Sequence, residues 1–109
     1  MALYMTRAKL SNEAFKGYVE NPSDREAALQ KLTGGLRMTM HKMYFSVSTA
    51  EIVTIAEGTA DAIAAAEMVI GSSGTTTGVE VIELIDSKSM TAAMETANKV
   101  VSAYQAPNK

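Results

Sequence analysis

The chain has 109 residues, 47% of them hydrophobic, a formal net charge of -2, one histidine and no cysteine. That length suits one domain with a core of its own, and the missing cysteine excludes disulfides, thiolate metal sites and cysteine nucleophiles. Charges of both signs are scattered, so no basic face points to nucleic acid. The opening M-A-L-Y-M-T-R puts its arginine after a short apolar run, the reverse of a signal peptide. No stretch approaches the roughly 20 apolar residues of a membrane span. The expectation is a cytoplasmic protein without a membrane partner.

Residues 2 to 9 predict a first strand. Ser11 is a suitable N-cap, Glu13 sits in the first turn, and Phe15, Tyr18 and Val19 recur at helical spacing. Asn21-Pro22 interrupts that helix, because the residue before a proline leaves helical geometry. Asn21 is the expected cap of a second segment, with Pro22 as its first residue and Gly34-Gly35 as its end. Two β-like runs follow, Leu36 to Val47 and Glu51 to Glu57, joined by a few small polar residues as a hairpin. Thr59 caps an alanine-rich helix that stops at Gly71-Ser-Ser-Gly74, and Thr75 to Ile85 reads as a fourth strand. Ser87 and Ser89 offer caps for a last helix, whose stripe is Met90, Ala93, Met94, Ala97, Val100, Val101 and Tyr104. The tail Q-A-P-N-K is expected to fray.

The order β-α-β-β-α-β is ferredoxin-like. The predicted fold is therefore α+β, an antiparallel sheet in one domain over 1–109. Its core spans 2–86 and an extra C-terminal helix spans 87–105.

Particular segments carry a family resemblance over roughly residues 3 to 86. They are K-L before the first helix, N-P-S-D-R, L-T-G-G-L before the second strand, M-Y-F-S-V, E-I-V-T-I-A-E-G and T-T-T-G-V-E-V-I-E-L. The chain resembles the GYD domain family, small ferredoxin-like proteins of the dimeric α/β-barrel type. The Gly-x-Tyr-Asp motif of that family would fall on Ser48-Thr49-Ala50-Glu51, where only the acid is kept in kind, as Glu51. The resemblance implies a homodimer joined by face-to-face sheets.

Strand alternation argues for a partner independently. It places Leu36, Met38, Met40 and Tyr44 on one face of the second strand and Met43, Phe45 and Val47 on the other. Val53 and Ile55 oppose Ile52 and Ala56, and Val79, Val81 and Ile85 oppose Ile82 and Leu84. Both faces are apolar, while two crossover helices cover one. A four-strand face presents on the order of 400 Å², or about 10 kcal/mol of burial at ~25 cal/mol per Å². A homodimer, or a larger homo-oligomer seeded by the last helix, is expected.

Met38-Thr-Met-His-Lys-Met43 is the sharpest local motif, since thioethers and imidazole suit soft copper(I). Strict alternation divides these side chains between two faces, so core packing is expected and no metal. His41 is the single side chain whose ordinary pKa lies near neutrality. Facing the interior between the sheets of a dimer, it could act as a general base, with Arg7 and Tyr44 as further catalytic candidates and Tyr4 and Thr6 beside them. Glu51, Glu57, Glu80 and Glu83 read as solvated ends and edges, and residues 71 to 78 as a turn without the lysine of a P-loop. No cofactor is implied.

The leading functional expectation is a homo-oligomeric binding or assembly domain, with itself and a small molecule as partners. One alternative is a small-molecule enzyme of the monooxygenase or isomerase kind found among dimeric α/β barrels, with His41 in its cavity. The other is a ligand sensor or soft-metal binder. An enclosed polar pocket walled by His41 would favour the enzyme or sensor, and a pocket filled by methionine and leucine the assembly domain.

Overall fold

The structure is a computed structural model that describes residues 1–108; of the expected frayed tail, Lys109 lies outside the described residues. Strand β1 spans Ala2–Leu10, helices α1 and α2 span Asn12–Glu20 and Arg25–Gly35, and strands β2 and β3 span Thr39–Ser46 and Glu51–Gly58. Helix α3 (Ala60–Ser72), strand β4 (Thr76–Leu84) and helix α4 (Ser87–Val100) follow, with a 3-10 turn at Val101–Ala103. The sheet order is β2-β3-β1-β4 and every neighbouring pair is antiparallel. This is the ferredoxin-like arrangement.

The helix starts follow from side-chain oxygens that satisfy free backbone N–H groups. The Ser11 hydroxyl accepts from Ala14 N at 3.2 Å and donates to Gly74 O at 2.8 Å, tying the start of α1 to the loop before β4. Thr59 caps α3 by accepting from Ala62 N, as its sequence position predicts. Three expected caps differ. Asn21 closes α1 and Pro22 stays outside the helices, while Asp24 caps α2 by accepting from Ala27 N. A carboxylate two residues past the proline can form that bond without proline's restriction. At α4 the cap is Asp86, which accepts from Ser89 N at 2.8 Å, so Ser87 and Ser89 are inside the helix.

The second strand starts three residues later than expected, because Leu36 to Met38 finish α2. Met38 N donates to Thr33 O and Arg37 N to Gly34 O, the paired bonds of a Schellman ending. Gly34 and Gly35 are helical, and the left-handed position falls on Arg37, at φ 57°.

Helices α1, α2 and α3 lie on one face of the sheet. Leu10, Ala14 and Ile52 form one buried cluster there, and Met38, Met40, Ala56 and Ile63 another, with Leu29 and Met43 packed against both. Register assigns this helix-covered face Tyr4, Thr6, Ala8, Ile52, Thr54, Ala56, Val79 and Val81. The opposite, open face receives Leu3, Met5, Arg7, Val53, Ile55, Glu80, Ile82 and Leu84. The division expected for β3 and β4 is the observed one, except that Ile85 lies beyond the end of β4.

Strand β2 departs from it. Met40 pairs with Ala56 but Lys42 pairs with Ile55, so His41 is an extra residue in a β-bulge. The bulge resets the alternation. Met43 and Phe45 pair with Thr54 and Ile52 on the helix-covered face, and Tyr44 pairs with Val53 on the open face. Met38, Met40 and Met43 thus share one face, correcting the division that strict alternation predicts. Beyond the bulge, the edge-strand N–H of Met43 donates to Glu26 Oε2 of α2 at 3.0 Å.

Helix α4 stands apart. Every one of its residues is exposed, including Met90, Met94 and Val100 of the apolar stripe. The radius of gyration is 18.1 Å and the long axis 60 Å, against about 13 Å expected for a compact domain of this length. The stripe therefore buries nothing against its own sheet.

Candidate functional site

The two faces of the sheet offer different chemistry. Between the helix-covered face and helices α2 and α3 lies a cavity of about 300 Å³, open on one side. Met38, Met40 and Met43 supply one wall, Leu29 and Leu32 of α2 another, and Ile63, Ala66 and Ile70 of α3 a third. The floor comes from the two central strands, where Thr6 of β1 and Thr54 of β3 are direct register partners. Arg25 and Glu67, of opposite sign, are the charged residues of the lining.

Small residues make this space. Alanine side chains on α3 leave room where larger ones would fill the gap to the sheet, and interiors otherwise hold few voids larger than a water molecule. Methionine suits the wall, because an unbranched thioether adapts its shape to what it touches.

The open face carries the ionisable groups. Arg7 Nη2 donates to Glu51 Oε1 at 2.9 Å, and Arg7 Nη1 lies 3.9 Å from Glu80 Oε2. Hydrogen bonding from the Thr49 side chain and from Arg7 holds the Glu51 carboxyl below its usual range, against an opposing cost of burial. The same Glu51 bond and charge push the Arg7 guanidinium further up. His41 Nε2 lies 2.6 Å from Glu57 Oε1, with both side chains close to half exposed. Lys42 Nζ sits 5.8 Å from the centre of the Tyr44 ring.

These positions separate the residues that the sequence brought together. Thr6 lines the cavity, and Tyr4 packs on the Met38 and Met40 cluster on the same side of the sheet. Arg7, His41 and Tyr44 belong to the open face, and none of them lines the cavity. A histidine oriented by a carboxylate is half of an acid-base site. It faces away from the enclosed space in which a substrate would be shielded.

Thr54 is a lining residue that sequence reasoning did not select, and Met43 is one that it placed on the face opposite Met38 and Met40. Thr54 carried a usable signal, as the polar residue facing inward in an otherwise apolar strand. Met43 carried none, since its face depends on the bulge.

The GYD domain profile matches residues 4–94. The chain belongs to the GYD domain family. The match takes in the sheet except Ala2 and Leu3 of β1, all of α1 to α3 and the first half of α4. No curated protein and no solved structure matches the chain. Among the described residues, no helix is long and apolar enough to cross a membrane, and no group of three or more histidine, aspartate or glutamate residues is placed to hold a metal ion.

Proposed function

We propose that this GYD domain is a homo-oligomeric binding and assembly domain whose open sheet face is buried against the same face of a second copy. One observation carries the reading. Leu3, Met5, Val53, Ile55, Ile82 and Leu84 form a continuous apolar surface on the open face, and α1, α2 and α3 all lie on the other side.

The area supports it. Two faces of roughly 400 Å² each give about 800 Å², below the roughly 1,200 Å² at which stable interfaces begin. The α4 stripe, about 21 Å long over 14 residues, adds on the order of 200 Å² per copy and closes the gap. Charge supports it as well. Arg7 stands between Glu51 and Glu80 and Lys9 is the register partner of Glu51, so two cations meet two carboxylates on this face and the row adds no strong like-charge repulsion to a two-fold contact.

Light scattering at micromolar concentration tests the reading, with an expected mass of at least twice 11.6 kDa. A clean monomer overturns it. Ile55→Glu, in the middle of the apolar surface, is expected to shift the mass to that of one chain while circular dichroism keeps the signature of the sheet.

A further inference from the structure

We propose that the cavity between the sheet and helices α2 and α3 is a binding site for a neutral, largely apolar organic molecule. The ligand has about a dozen non-hydrogen atoms and one hydroxyl or carbonyl oxygen directed at Thr6 and Thr54. Neither threonine hydroxyl has a hydrogen-bond partner among the described residues. No buried side-chain polar atom among those residues is left unsatisfied either, so both hydroxyls open onto the cavity rather than being sealed in the core. Directly opposed on neighbouring strands, they put two adaptable donor-acceptors side by side. Everything adjoining them on the floor is apolar: Ala8, Ile52 and Ala56.

That combination of apolar walls with a few convergent polar groups is the usual composition of a small-molecule site. Size follows from volume. A dry cavity of about 150 Å³ holds benzene, so about 300 Å³ takes two fused or linked rings, or a chain of similar bulk. Neutrality follows from the lining, in which Arg25 is exposed and Glu67 half-buried, with their charges opposed. An ionised ligand would leave water for walls of methionine, leucine and isoleucine with no net counter-charge. The three methionines on one wall accommodate ligands of differing outline, so selectivity rests on the hydroxyl pair.

Fluorescence and calorimetric titrations of the full chain with 2-naphthol, naphthalene and 2-naphthoate test this. The expected result is one saturable site per chain, with 2-naphthol bound at least tenfold more tightly than naphthalene or 2-naphthoate. The double variant Thr6→Val, Thr54→Val preserves shape and is expected to bring 2-naphthol down to the affinity of naphthalene, leaving naphthalene itself unchanged. Ala66→Phe, which fills the space from α3, is expected to abolish all three while light scattering shows the same mass as the unaltered chain. Absence of saturable binding by any probe overturns the proposal, as does tight 2-naphthol binding that survives the double valine variant. Binding lost in Ile55→Glu but retained in Ala66→Phe would place the site between subunits and also overturn it.

Discussion

Gly58 at the end of β3 leaves open the space that Met38 fills, and a Cβ at Gly58 would lie 2.8 Å from Met38 Cγ. Non-bonded carbons essentially never come that close, so any side chain at position 58 displaces Met38, one of the four residues of the buried methionine cluster. Gly58→Ala is therefore expected to lower stability by about 1–3 kcal/mol. In a Met38→Ala background most of that loss should vanish. Denaturant midpoints for the two single variants and the double variant measure the coupling.

Arg37 holds the left-handed residue of the α2 ending, at φ 57°, where a Cβ is penalised. Ala50, in the hairpin between β2 and β3, is in the same position at φ 56°. Replacing either with glycine relieves the clash. Each is expected to gain about 1 kcal/mol, read as a higher melting temperature, with the two effects adding because the sites share no partner. Gly34→Ala is the informative contrast. That residue is helical with nothing within 4 Å of an added Cβ, so a gain there comes from helix propensity alone.

The Glu51 carboxyl is held below its ordinary value of 4.5 by hydrogen bonding from Thr49 and Arg7. A carboxyl with a depressed folded-state pKa stabilises the fold above its unfolded pKa and loses that contribution as pH falls through the folded value. Stability should therefore drop below about pH 4.5 more steeply in the unaltered chain than in Glu51→Gln. Urea titrations at pH 7, 4.5 and 3 check this. Arg7→Met should reduce the same acid sensitivity from the other side of the pair.

Met94→Asp tests the exposed stripe of α4. No contact with the chain's own sheet is lost, so the isolated domain should keep its fold. The expected change is in assembly, with a smaller mass by light scattering and a melting temperature that becomes less dependent on protein concentration. An unchanged mass and melting curve would show that the helix takes no part in self-association.

Element order was legible because it rests on punctuation. Ser11 and Thr59 announce helices, Asn21-Pro22 breaks one, and β-branched runs bracket a short polar joint. Boundaries were less so where neighbouring polar residues compete. Asn21 and Asp24 are both competent caps, and only the path of the chain after Pro22 selects the carboxylate. The family was recognisable from the same segments. The candidate site was not, for a specific reason. A bulge needs one extra residue and no particular composition, so His41 gives no sign that Met43 and Phe45 have changed sides. The cavity could not be read either, because an empty volume is set by how far α3 stands from the sheet and not by any single side chain.

The extra residue in β2 also bears on how such a chain can change over time. Substitutions alter one wall position of the cavity at a time, whereas drawing His41 into regular pairing would exchange the inward and outward side chains of everything after it in that strand. In that pairing Tyr44 would turn inward, and Met43 and Phe45 would turn toward the open face. Loss of His41 would instead leave a regular strand with Met43 and Phe45 still inward, so the bulge absorbs one residue of extra length without altering the thioether wall or β1, β3 and β4. Pocket chemistry in this architecture depends on whether the extra residue of the edge strand is bulged out or paired as much as on residue identity.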